Sequence, residues 1–137
     1  PLRGVPTRLG MKKAVVHLGN AWGHFNEGRD EETLWSCYKA FEFLTKLAKV
    51  KDPNQQAFGK LLAGIEDEKK RTRLSLLMDY VCRFLALGRH EEGQEKVFLD
   101  RRDSEYALIL AQASLAYLAK NTSEQCKTPP RDLSQPM

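Results

Sequence analysis

Arg83 and His90 are separated by six residues. A cation to steady developing charge and an imidazole as general base would make chemical sense near a scissile phosphate. A second chemical feature is the run Lys69, Lys70, Arg71 and Arg73, which would contact phosphates or an acidic partner segment. Three acids, Glu66, Asp67 and Glu68, precede it, and no aromatic residue is interleaved to stack bases. The spacing predicts Glu66–Lys70 and Asp67–Arg71 pairs at i,i+4 and a solvated, partly self-neutralised first helical turn. His17 and His24 are seven apart and share a helix face, but two imidazoles do not make a metal site. Cys37, Cys82 and Cys126 are widely spaced, without a CxxC pair or a Cys/His cluster of zinc spacing. Gly-rich phosphate loops, nucleophile elbows, HExxH and paired-carboxylate motifs are all missing from the sequence. The expectation is a chain with no cofactor and no metal, and not an enzyme.

The elements that must carry these residues read as helices. Ala14, Leu18, Ala21 or Trp22 and Phe25 recur at helical spacing and predict a helix over 11–25. Gly19 and Gly23 inside it point to close approach of a neighbouring helix. Residues 26–29 form a turn with Gly28 at positive φ, and Asp30 is the expected N-cap of a second helix reaching Lys49. That helix is apolar over much of its circumference, with Leu34, Cys37, Phe41 and Leu44 on one stripe and Trp35, Phe43 and Leu47 on another, so it should lie between neighbours. Asp52 and Pro53 read as N-cap and first residue of a short third helix. A fourth runs from Glu66 with a core stripe of Leu74, Leu77, Val81, Phe84 and Leu85, ending at Gly88 in left-handed conformation. Residues 89–102 fit either a short helix or an irregular connector, in which Val97, Phe98 and Leu99 need cover. Asp103 or Ser104 then caps a last helix, one side of it Tyr106, Ile109, Leu110, Ala113 and Tyr117. With so few charges it is expected to be deeply buried.

Two family resemblances arise from these residues. Leu18-Gly19-Asn20-Ala21-Trp22, Gly28 and Tyr38-Lys39-Ala40-Phe41-Glu42-Phe43 resemble a single tetratricopeptide repeat, and also the first two helices of microtubule-interacting-and-trafficking domains. The resemblance covers residues 18–43, no second copy follows at repeat length, and what it implies is a helical hairpin of the kind used for peptide docking. The Arg83–His90 interval resembles the Arg-x(4–6)-His pattern of HEPN nucleases, helical bundles of about this size, and would imply a ribonuclease.

The 137 residues fit one all-α domain, a bundle of five to six helices over 11–121. An extended basic lead-in over 1–10 precedes it, and a disordered tail over 122–137 follows. A chain opening on Pro1 reads as a piece of a longer protein. The net charge of +4 is mild for a nucleic-acid binder, there is no apolar run of membrane-spanning length, and a secretory leader is not seen. Free thiols suit an intracellular setting, cytoplasmic or nuclear. The leading expectation is a protein-interaction or scaffold module that holds a partner peptide or helix beside the first hairpin. Trp22, Phe25, Trp35, Tyr38 and Phe43 would be its apolar anchors, with Lys12, Lys13 and Lys46 as a basic rim. Nucleic-acid binding through Lys69, Lys70, Arg71 and Arg73 is the second expectation, a HEPN-like ribonuclease the third. Self-association is a further one, since surplus apolar helix faces can be met by a second copy.

Overall fold

The computed structural model describes residues 8–89 and 96–126, with side chains described for 10–89 and 96–121. Five α-helices follow one another: α1 (Arg8–Asn26), α2 (Asp30–Leu47), α3 (Gln55–Leu61), α4 (Glu68–Leu85) and α5 (Arg101–Cys126), with a 3-10 turn, Ala86–Gly88, extending α4. The fold is all-α, and α2 touches every other helix. Its Leu34, Cys37, Phe41 and Leu44 are fully buried, a spacing that keeps them on one side of a 3.6-residue helix. Ala14 and Ala21 of α1 and Met78, Val81 and Leu85 of α4 close on that side, and Phe41 meets Phe58 of α3 edge to face at 5.9 Å. Thr33, at a position where the repeat family has alanine, is buried without loss because its hydroxyl donates to the Arg29 carbonyl at 2.6 Å.

Helix termini are where local chemistry departs from the simplest reading. α1 begins at Arg8, so part of the expected lead-in is helical, and residues 1–7 lie outside the described residues. Asp30 is the first helical residue of α2, and its carboxylate instead accepts the Ser104 hydroxyl at 2.7 Å. The cap of α3 is Asn54, whose side chain accepts the Ala57 N–H at 2.9 Å, so Asp52 and Pro53 stay in the loop. Asp67 caps α4 by accepting the Lys70 N–H at 3.1 Å, and Arg71 reaches back to the Ile65 carbonyl at 2.6 Å, so neither predicted i,i+4 pair forms. Asp100 caps α5: it accepts the Arg102 and Asp103 N–H groups, while Asp103 accepts the Asp100 N–H, a reciprocal capping box with aspartate at both positions.

The glycines also exchange roles. A Cβ at Gly19 or Gly23 would meet nothing within 4 Å, so neither marks a helix crossing. Gly88 does: a Cβ there would lie 2.4 Å from the Glu31 carbonyl oxygen and 2.7 Å from the Trp35 nitrogen. It is not left-handed, because the positive-φ residues are Gly28 and Lys49. Both of these close helices by the same device. Arg29 N–H bonds the His24 carbonyl and Gly28 N–H that of Phe25, as Val50 bonds Thr45 and Lys49 bonds Lys46. These are Schellman motifs.

α5 is longer than expected, continuing through 122–126, and residues 127–137 lie outside the described residues. It is also less buried than its composition implies. Ala107, Leu108, Ala111, Leu115 and Leu118 are in the core, but Tyr106 and Ile109 are 57% and 59% exposed. Of the connector, residues 96–100 are irregular; Leu99 is buried and Phe98 is left 83% exposed.

Candidate functional site

The aromatic residues of the hairpin do not converge on one groove. Trp22 and Phe25 meet edge to face at 5.7 Å near the end of α1, and the Arg101 guanidinium lies 3.5 Å from the Phe25 ring centre while donating to the Phe25 carbonyl. Trp35 stacks on Tyr38 at 4.9 Å, with Lys39 and Arg89 over the indole at 5.7 and 5.6 Å. Tyr38 itself is 8% exposed and belongs to the core rather than to a docking surface. Phe43 forms a third group with His17, at 6.5 Å, and Lys13, 5.4 Å above its ring. Partial burial first, and the charge of Lys39 second, hold His17 below the usual imidazole range. Of the predicted rim, Lys12 is exposed to solvent and Lys46 leans 4.0 Å from Glu42 along its own helix. The five anchors thus fall into three separate groups, with Lys13 of the predicted rim over one of them.

The basic cluster is better assembled. Lys69, Lys70 and Arg73 are exposed on α4, whereas half-buried Arg71 is occupied in holding the α3–α4 loop. Arg83, further along the same helix, hydrogen-bonds Asp79 at 3.1 Å, and that bond raises its pKa further, fixing it as a cation. His90, the other half of the nuclease-like pair, lies outside the described residues.

Between these cations the structure exposes an apolar strip, of which the sequence reading placed Leu77 and Phe84 in the core and left Leu76, Tyr80 and Leu87 unassigned. The exposed positions of α4 and its 3-10 extension are Glu68, Lys69, Lys70, Thr72, Arg73, Leu76, Leu77, Tyr80, Arg83 and Leu87, four cations and one acid, the latter in the first turn. Leu77 and Tyr80 are 58% and 63% exposed. Phe84, half-buried, continues the strip and reaches Tyr106 of α5 at 5.8 Å. The signal was present in the spacing. The apolar residues of α4 form two stripes, Leu74–Met78–Val81–Leu85 and Leu76–Leu77–Tyr80–Phe84–Leu87, centred on different sides of a 3.6-residue helix. Only one of them can face α2.

Among the described residues no group of three or more His, Cys, Asp or Glu side chains could hold a metal ion, and no helix is long and apolar enough to cross a membrane. Comparison with protein-family models, with curated proteins and with solved structures yields no match. The hairpin α1–α2 is a helical hairpin on its own geometry.

Proposed function

We propose that this chain is a non-enzymatic protein-interaction module, and that the outer face of α4 docks an acidic amphipathic helix. The observation that carries the reading is the coexistence, on one exposed helix face, of Leu76, Leu77, Tyr80 and Leu87 with Lys69, Lys70, Arg73 and Arg83, against one exposed acid of the helix, Glu68 in its first turn. A ligand that gains from both halves of that surface must offer apolar side chains at helical spacing and carboxylates beside them. Nucleic acid would use the cations but gain nothing from burying three leucines, so phosphate recognition accounts for half the face only.

Selection from a displayed peptide library on the wild-type chain, with counter-selection on a Tyr80→Ala/Arg73→Glu variant, tests it. Enriched peptides should combine Leu or Phe at i, i+3, i+4 and i+7 with Asp or Glu, and should lose about tenfold or more in affinity on Tyr80→Ala. A selection whose peptides bind wild type and variant alike would remove the proposal. Tight binding of single-stranded RNA, weakening steeply with salt and unaffected by Leu77→Ala, would replace it with the nucleic-acid reading.

A further inference from the structure

The outer face of α5 is a second exposed surface, met by α4 at Tyr106, and its charges differ in kind from those of α4. Past the first helical turn the exposed residues are Glu105, Tyr106, Ile109, Gln112, Ala113, Ala116 and Lys120. Tyr106, Ile109, Ala113, Ala116 and Lys120 follow one another at steps of three, four, three and four, the 3.5-residue repeat that keeps a seam turned toward another helix. The core face, with Leu108, Leu115 and Leu118, lies on the opposite side, so this seam is turned away from the bundle.

We propose that the seam is covered by a second copy of the chain, with its α5 antiparallel to the first. The arrangement of charge selects that occupant. Glu105 and Lys120 have no ion-pair partner among the described residues. They are fifteen positions apart, about 22 Å along the helix at 1.5 Å per residue, and their midpoint falls between Gln112 and Ala113. A two-fold axis at that midpoint sets Glu105 of each copy opposite Lys120 of the other, two opposite-charge pairs from one symmetry operation. The same axis sets Ile109 against Ala116, a large residue against a small one, and leaves Ala113 at the crossing, where two helices approach most closely. A parallel pairing would oppose Glu105 to Glu105. The face of α4, with four cations against the one exposed acid Glu68, offers its own copy no such balanced pairing.

Sedimentation of the full chain over a micromolar dilution series, with Glu105→Lys, Lys120→Glu and the double exchange, tests the geometry. All four proteins should keep the same helical circular-dichroism signal, since both positions are exposed. The wild type should be dimeric. Each single reversal should raise the dissociation constant about tenfold or more by opposing like charges twice, and the double exchange should restore it. A wild type that stays monomeric, single reversals without effect, or a double exchange that fails to rescue would each overturn the antiparallel dimer.

Discussion

Lys49 is held at φ 63° at the end of α2, in the left-handed region where a Cβ meets the following carbonyl. Gly28, at φ 76° in the equivalent position after α1, carries no such penalty. Relief of roughly 1–2 kcal/mol on replacing Lys49 by glycine is offset by the lost attraction of the lysine to the helix C-terminus and by a freer unfolded chain. Lys49→Gly should therefore stabilise the chain by about 0.5 kcal/mol in urea unfolding, whereas Lys49→Val, β-branched, should cost about 1 kcal/mol or more. Equal midpoints for the two variants would mean that the Schellman geometry is not maintained in solution. At the same scale, the buried hydroxyls of Thr33, Thr45 and Ser75 each donate to a carbonyl three or four residues back, which lets polar side chains stand inside the bundle without desolvation loss.

Element packing makes opposite predictions for two kinds of glycine. Gly88→Ala drives a Cβ into the backbone of α2 at Glu31 and Trp35, atoms that cannot rotate aside, and should cost about 2 kcal/mol or more. Gly19→Ala, on the open side of α1, should instead gain about 1 kcal/mol from helix propensity. Thermal or urea midpoints of the two variants, measured side by side, check both signs. The number of helices, the central place of α2 and the turn at Gly28 were legible in the sequence, because periodicity and turn chemistry are local. The partner of each glycine was not, since close approach is decided by which helices cross, and that depends on contacts between residues far apart in the chain. The same holds for Leu77, Tyr106 and Ile109. Sequence reports that α4 and α5 are apolar on more than one side, while only the packing order tells which side is left uncovered. The candidate site was half legible for that reason: its cations were singled out, while Leu77 and Phe84 of its apolar strip were taken for core and Leu76, Tyr80 and Leu87 were given no role.

For the molecule as a whole, alkaline stability follows from two thiols sealed in the core. Burial pushes Cys37 from 9.0 up to about 12, and burial followed by the charge of Asp79 raises Cys82 as well. Below the unfolded-state value both states keep these protons, and the thiols add no pH dependence. As pH climbs from 9.0 towards 12 the unfolded chain releases protons that the folded chain retains, so stability falls. The Cys37→Ala/Cys82→Ala chain should lose less stability than wild type between pH 8 and pH 10.5, compared by urea midpoints; parallel losses in the two chains would place the thiols in contact with solvent. A different consequence attaches to Glu31. Gly88 packs against its carbonyl, and Lys96 Nζ lies 3.3 Å from its carboxylate. The described residues on either side of 90–95 thus meet one residue of α2, Gly88 by its backbone and Lys96 by its side chain. A segment spliced in there would have both of its ends beside a single helical turn. Because the entropy of closing such a segment rises only by about 0.6 kcal/mol per doubling of its length, this is the point at which the bundle can carry foreign cargo without disturbing either outer face.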